Sequence, residues 1–505
     1  SAADSAHDDA DGSSAGVDDG ALFDVPSGTA EGGNPPLPSC EVQGDMNGIG
    51  DCEQEAPPDS FEPDVQWTWT PELENYSIVT PLVANLTDDN GDGAIDLCDV
   101  PDIVVVCVQE ISGENPPGHI YVLDGATGTL HTKFETPVYS DGTPAIADFG
   151  NDGRPEIVTG TMDGHVVMFD PDGNVLSTSQ GFQPKYFGSA IALADVDADG
   201  DIEIAYDDML LDESGTILFD AQHINIVSEA TALADLDGDG DQEVIFGNRA
   251  VHHDGSPYYD HPELTPGFPA IADLDDDPQP EVLLTNEQGI TILEHDGATK
   301  LVDLRPTGDE ANGLNWSRPA TVHDFDGDGI AEFALSSSYH YSVYTHDAAI
   351  VWSSEILDDS GIAAGTAFDF LGDGEAEAMY ADEYQMRIYG EVGQVLLETP
   401  RMSRTMIEYP VVADVDNDGS AEIVVVSNET TDDVSGSPTV QVIRDKEDRW
   451  IQARRIWNQH TYHVTNVRED ATIPQHEVPH WTLLNTYRTN AQIEGGSVCQ
   501  PVPEG

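Results

Sequence analysis

From about residue 65 onward the chain alternates short apolar runs with clusters of Asp and Gly. Runs such as Pro144-Ala145-Ile146-Ala147 are built of small apolar residues, and runs such as Glu422-Ile423-Val424-Val425-Val426 are β-branched. Both lengths fit strands rather than helices. Two more strand-sized runs follow each pair, joined by turns at Asp124-Gly125-Ala126-Thr127-Gly128, Asp170-Pro171-Asp172-Gly173, Asp212-Glu213-Ser214-Gly215, His253-Asp254-Gly255 and His295-Asp296-Gly297. Looser turns lie near Asp347, Gly393 and Asp445. The pattern predicts units of four strands.

The units repeat. The string Ala234-Asp235-Leu236-Asp237-Gly238-Asp239-Gly240-Asp241-Gln242-Glu243 aligns with Ala147-Asp148-Phe149-Gly150-Asn151-Asp152-Gly153-Arg154-Pro155-Glu156. It recurs from Asp195, Asp273, Asp324, Asp369 and Asp414, and an expanded copy occupies residues 84–106. Eight four-stranded units at blade spacing predict an all-β, eight-bladed β-propeller, with seven blades and a degenerate extra unit as the alternative. Trp67 and Trp69, upstream of the first unit, belong to a strand expected to help close the ring against the last unit.

The loop spacing carries the chemistry. In D-x-D-x-D-G-x-x-E, alternate carboxylates point to one side of a tight turn, and the acid at position nine returns to the same centre. Such an all-oxygen donor set suits Ca²⁺, which takes six to eight oxygen ligands at about 2.3–2.6 Å. Complete sets are Asp195/Asp197/Asp199/Glu203, Asp235/Asp237/Asp239/Glu243, Asp324/Asp326/Asp328/Glu332 and Asp414/Asp416/Asp418/Glu422. Three sets are impaired. Gly150 leaves Asp148/Asp152/Glu156, Leu371 leaves Asp369/Asp373/Glu377, and Pro278 stands in place of Gly in Asp273/Asp275/Asp277/Glu281. The first copy reads as an EF-hand-like loop, with Asp88, Asn90, Asp92, the Ala94 carbonyl, Asp96 and Asp99 as ligands. The expectation is about five well-occupied calcium sites and at most eight, with the metal in a structural role.

These strings resemble the FG-GAP or VCBS repeat family, found in integrin α-subunit propellers and many bacterial surface proteins, over about residues 79–455. The resemblance implies a propeller with Ca²⁺ in inter-strand loops and a role in extracellular adhesion or ligand binding. The Phe-Gly and Gly-Ala-Pro elements survive faintly, as in Phe187-Gly188 and Gly267-Phe268-Pro269.

Composition narrows the partners. Asp and Glu number 97 against 17 Lys and Arg, a formal charge of −80. Such a surface repels nucleic acid and anionic lipid. Bound cations would neutralise only part of it, and the remainder suggests a marine or halophilic bacterium. Residues 1–60, rich in Ser, Ala, Asp, Gly and Pro, read as a solvated leader or stalk. Residues 61–455 then form the propeller and 456–505 a capping segment. The start at Ser1 and the lack of any apolar run of about 18–20 residues suggest a processed or trimmed chain that does not span a membrane. Five cysteines suit a secreted or cell-surface protein, with Cys40–Cys52 and Cys98–Cys107 as the expected pairs and Cys499 left over. A reduced, buried thiol is the other reading of Cys107.

Residues 444–490 break the acidic bias with seven of the 17 basic residues. Arg454, Arg455, Trp457, His460, His463, Trp481 and Arg488 are candidates for gripping an extracellular protein or a glycan. The competing reading is a lid that packs on the propeller and pairs its arginines with neighbouring acids. A calcium-dependent polysaccharide lyase or hydrolase would need the Arg/His cluster as its cationic and basic groups. A third reading is self-association into an extracellular polymer. The leading expectation is non-enzymatic, with no catalytic residue assigned.

Overall fold

The computed structural model describes residues 40–42, 49–57, 60–109, 117–182, 189–221, 230–275, 277–305, 318–337, 339–358, 362–428 and 437–501. Most of the expected leader, and Phe187-Gly188, lie outside the described residues. Among those described, the architecture is all-β: eight four-stranded sheets, one small three-stranded sheet and a single 3₁₀ turn at His480–Thr482. No helix among them is long and apolar enough to cross a membrane.

Seven sheets are consecutive antiparallel meanders, for example Ile191–Ala194, Glu203–Tyr206, Met209–Leu211 and Ile217–Asp220. The eighth takes its outer strand, Pro63–Trp69, from the beginning of the chain, paired antiparallel with Val440–Asp445. This is the Trp67/Trp69 strand, on the last unit.

The first strand of each sheet is short and dominated by small or β-branched residues. These strands are Leu82–Ala84, Ala145–Ala147, Ile191–Ala194, Ala232–Ala234, Phe268–Ala272, Thr321–His323, Gly365–Phe368 and Val411–Ala413. All are buried except at the end of the sixth, and from the first sheet to the eighth, successive ones lie side by side. Outer strands instead alternate exposed and half-buried positions, as in Val395–Pro400. Small side chains are placed where backbones crowd, and the amphipathic strands face water.

The turns that join third to fourth strands lock neighbouring sheets. Gly173, at φ 85°, stands where a Cβ would come within 2.6 Å of Phe134, the residue after the outer strand of the preceding sheet. Gly128, at φ 68°, meets Trp67 in the same way, so the first sheet packs against the eighth. Trp67 Nε1 also donates to the Gly125 carbonyl at 2.7 Å. Glycine is required at these turns for both its positive φ and the close approach.

The expected disulfides are corrected. Cys40 pairs with Cys98 and Cys52 with Cys499, while Cys107 is free and buried. Cys107 ends the strand Asp102–Cys107. Five strand steps from Asp102 carry it about 17 Å along the sheet, away from the loop that holds Cys98. Cys499, expected to be left over, ties a three-stranded sheet in which Gly50–Asp51 runs parallel to Ser497–Gln500.

Candidate metal loops and the C-terminal cap

Strand register builds each loop. The residue before the first Asp faces the position-nine Glu across the first two strands: Ala147 opposite Glu156, Ala194 opposite Glu203, Ala234 opposite Glu243, Ala272 opposite Glu281, His323 opposite Glu332, Phe368 opposite Glu377 and Ala413 opposite Glu422. Each of these Glu residues accepts the backbone N–H of loop position two through Oε2, at 2.7–3.0 Å. Its other oxygen, Oε1, takes no part in that bond.

The first Asp organises the turn. Except in the loop at Asp273, its Oδ2 accepts the N–H of the Gly at position six, at 2.7–3.1 Å. Pro278 has no N–H to offer there. The loops thereby hold several carboxylates at close quarters, and ligand oxygens of Asp195, Asp197 and Asp199 lie within 4.8 Å of one another.

The Asp at position five has a second task that spacing alone does not announce. In all seven loops its Oδ1 accepts the N–H of the residue two places on, at 2.8–3.1 Å: Asp152 from Arg154, Asp199 from Asp201, Asp239 from Asp241, Asp277 from Gln279, Asp328 from Ile330, Asp373 from Glu375 and Asp418 from Ser420. Short Asp side chains close such turns on their own backbone. In every loop, therefore, one oxygen of the position-five Asp serves the turn and the other lies outside that bond. Asp152, Asp199, Asp239, Asp277, Asp328 and Asp418 are exposed and Asp373 is half-buried, whereas the position-nine Glu is buried in every loop except the one at Asp148, where Glu156 is half-buried. Position five, Asp277, Asp328 and Asp373 included, thus lies on the solvent side of each loop and position nine on its inner side.

Burial and mutual repulsion raise the affinity of these groups for protons. The carboxyls of Glu203 and Glu332 are pushed up to about 8, and those of Glu156, Glu243 and Glu281 to about 7, by burial first and neighbouring carboxylates second where those contribute. Asp414, Glu422 and Glu377 are also raised well above their ordinary values, again mainly by burial.

The loop at Asp414 gives the sharpest test of fit. Asp414 Oδ1 and Glu422 Oε1 are both buried and have no hydrogen-bond partner. Two orphaned carboxylate oxygens beside Asp416 and Asp418 are costly without a cation, and an all-oxygen set of this kind fits a hard divalent ion. In two other loops a protein group meets Oε1. His252 Nδ1 lies 2.9 Å from Glu243 Oε1. In the impaired loop at Asp273, the Lys300 ammonium sits 2.9 Å from Glu281 Oε1 and also pairs with Asp275.

The first loop holds the expected side chains on its own backbone and adds one acid to them. Asp88 accepts from Gly91, Asp92 and Gly93, Asn90 from Asp92, Asp92 from Ala94, and Asp96 from Cys98. Asp99 spends both oxygens on the N–H groups of Asp89, Asn90 and Asp96. The residue equivalent to the position-nine Glu is Asp102, opposite Ala84, whose Oδ2 accepts Leu86 N–H at 2.9 Å. It is fully buried, and burial pushes its carboxyl up to about 8. The register of the apolar run Asp102–Cys107 was the available signal for it.

The basic C-terminal segment is buried rather than displayed. Arg454, Arg455, Trp457, His460 and Arg488 are at most 1% exposed, His463 3% and Trp481 9%. The segment bonds to first strands around the molecule: Trp457 to Val83, Asn458 to Ile146, Gln459 to Leu193, Arg488 to Pro269 and Ala320, Tyr487 to Val322, and Asn490 to Val412. It seats at the loop end of the sheets, where Asp148 N–H donates to Ala471 O. Its arginines differ from the expected lid in their partners. Arg455 pairs with Glu469, but Arg454 donates to Tyr462 Oη and to the Val464 and Val467 carbonyls, and Arg488 donates to the Ala320 and Pro269 carbonyls.

Repeated four-stranded sheets with an Asp loop between their first two strands define a β-propeller protein. Residues 148–206 match an FG-GAP-like repeat. No curated protein matches the chain by sequence. Among solved structures it is similar in fold to the V. cholerae biofilm matrix protein Bap1, at 21% identity and TM-score 0.76, covering 85% of this chain and 99% of that one. It is also similar to Bacillus licheniformis rhamnogalacturonan lyase PL11, at 16% identity and TM-score 0.54, covering 88% and 84%. The rhamnogalacturonan lyase YesW aligns at 17% identity and TM-score 0.53, over 89% and 83%.

Proposed function

We propose that this chain is an extracellular, calcium-stiffened, eight-bladed β-propeller that acts as a non-enzymatic matrix or cell-surface interaction protein. The observation that carries this reading is the burial of the Arg/His cluster. A uronate-cleaving enzyme needs a cation and a base open to its substrate, and the arginines of this segment are spent on carbonyls and Glu469 beneath the loop face. Packing of Gly128 on Trp67 supports ring closure between the first and eighth sheets. Two disulfides suit an oxidising compartment. The fold likeness to a biofilm matrix protein over nearly all of that chain points the same way.

Calcium would be held best at the complete loops from Asp195, Asp235, Asp324 and Asp414, with the loop from Asp88 as a fifth. Its chemistry there is to neutralise converging carboxylates and so tie the first two strands of a blade. The binding surface is then an outer face of the acidic disc, with an extracellular protein or a glycan as partner.

The second reading, a polysaccharide lyase, is favoured by the fold likeness to rhamnogalacturonan lyases. Incubation with rhamnogalacturonan, followed by absorbance of unsaturated uronate products, separates the two. Inert protein that binds matrix or glycan only in calcium supports the proposal, and product formation overturns it. Particle size with and without EDTA tests self-association in the same samples.

A further inference from the structure

The cap contains a cluster unlike the calcium loops. Outside them, His463, Glu477 and His480 bring one ring nitrogen each and a carboxylate oxygen to within 4.8 Å of one another. Both histidines are buried, at 3% and 1% exposure, and Glu477 lies at the edge of the cap with its side chain 10% exposed. The two rings stand 4.4 Å apart, centroid to centroid.

Hydrogen bonding fixes the tautomers. His463 Nδ1 lies 3.1 Å from the Thr461 carbonyl, which only accepts, so Nδ1 carries the hydrogen. His463 Nε2 faces Glu477 Oε1 at 2.6 Å. His480 Nε2 lies 2.8 Å from the Ile271 carbonyl and therefore also carries its hydrogen. That leaves a lone pair on His480 Nδ1, which is buried without a partner. Each imidazole thus donates one N–H to a backbone carbonyl and turns its other nitrogen inward, the support that metal-bound histidines usually receive. Glu477 is braced in turn by Thr465 Oγ1 at 2.8 Å and by Gln242 Nε2 at 3.1 Å.

We propose that His463 Nε2, His480 Nδ1 and Glu477 form a transition-metal site, suited to Zn²⁺, that pins the cap to the loop face. Once the ion displaces the proton that His463 Nε2 shares with Glu477, two neutral imidazoles and a carboxylate match the ligand types of Zn²⁺, whereas the Asp loops are all oxygen and suit a harder ion. Around a tetrahedral ion with ligand distances of about 2.0–2.1 Å, donor atoms stand roughly 3.3 Å apart. Closing the cluster therefore needs only small side-chain rotations, with the His463–Glu477 contact opening by roughly 0.7 Å. The fourth position faces the edge where Glu477 meets solvent and would be filled by water. The ion would join the cap to the fifth sheet through His480 and Ile271, and to the fourth through Glu477 and Gln242. The site does not depend on calcium occupying the loops.

The test uses the full chain, stripped with chelator, returned to excess Ca²⁺ and titrated with Co²⁺ and Zn²⁺. The expected result is one tight equivalent per chain, with the visible Co²⁺ absorption of a four-coordinate site, and a Zn²⁺ affinity at least tenfold weaker in Glu477→Gln at unchanged calcium content. Glu477 sits at the edge of the cap, so this variant is checked for folding by its calcium-supported melting. Wild-type protein that takes up no Co²⁺ into a four-coordinate environment overturns the proposal without recourse to any variant. So does Zn²⁺ affinity that is the same in wild type and Glu477→Gln, which would assign uptake to surface histidines.

Discussion

The Lys300 ammonium lies 2.9 Å from Glu281 Oε1, inside the one loop whose position-six glycine is replaced by proline. The oxygen it meets corresponds to the orphaned Glu422 Oε1 of the eighth loop. Lys300 also pairs with Asp275, so one side chain gathers acids that in the other loops would need a cation to gather them. Lys300→Met should therefore lower the melting temperature in chelator, by an amount equivalent to about 1–3 kcal/mol because Glu281 is left buried and unpaired. Saturating calcium should recover part of that loss. Equal melting of wild type and Lys300→Met in chelator would show that the lysine holds nothing together.

The eighth loop should respond with opposite signs in two buffers. Without metal, Glu422 and Asp414 are unpaired buried carboxyls near Asp416 and Asp418, and Glu422→Gln removes one of the repelling acids. In EDTA the variant should be as stable as wild type or more so. In calcium it should lose one bound ion and about 1–3 kcal/mol, since an amide oxygen is a poorer ligand than a carboxylate. Calorimetric melting in both buffers, with calcium content measured alongside, checks this. Destabilisation by the same amount in both would reduce Glu422 to a packing residue.

The same carboxyls set a pH dependence. Those of Glu203 and Glu332 are raised to about 8, and those of Glu156 and Glu281 to about 7, from an ordinary 4.5. The folded, metal-free chain therefore binds more protons than the unfolded chain between these limits. Its stability is fully supported by these groups below about pH 4.5 and declines as pH rises toward 8. Calcium reverses the trend, because the ion competes with those protons and binds more tightly as they leave. Melting curves from pH 5 to 8, with chelator and with calcium, should diverge progressively. Parallel curves would contradict the carboxylate account.

Most of this scaffold was legible because one register is written into every unit. A first strand ending just before Asp, and a second beginning at Glu, dictate that Ala147 faces Glu156 and that Ala413 faces Glu422. Spacing did not separate the buried position-nine Glu from the acids at the rim, where Asp277, Asp328 and Asp373 each bond to their own turn. The expanded first copy hid Asp102, since spacing alone favoured Asp99 and only pairing with Ala84 reveals its equivalence. The cap was legible as an oddity of composition, but not in its partners. Arg488 in a chain of −80 invites a carboxylate, yet the fold brings it to the carbonyls of Pro269 and Ala320. Likewise His463 is grouped with Glu477 and His480 by the fold of the cap rather than with its sequence neighbour His460, and no short spacing announces that set.

Cystine pairing was the other hidden feature, because proximity along the chain favoured partners that strand geometry separates. The two bonds that form differ in reach, and their loss should differ in kind. Cys40–Cys98 spans 58 residues and fastens residues beside the Asp88 loop, where Leu97 N–H also donates to Cys40 O. Cys52–Cys499 spans 447 residues and joins the two ends of the described fold. In the chain-entropy description, the stabilisation is roughly 4 kcal/mol for the first separation and roughly 6 kcal/mol for the second, before any native strain is subtracted. The double variant Cys52→Ser/Cys499→Ser should therefore unfold at lower denaturant than Cys40→Ser/Cys98→Ser. The latter should instead weaken calcium binding at the Asp88 loop while leaving the ion count of the other loops intact. Denaturant midpoints and calcium content, measured on both variants under oxidising conditions, decide the matter. A larger loss of global stability from the short-range pair would mean that residues around Cys40 do more than clasp one loop.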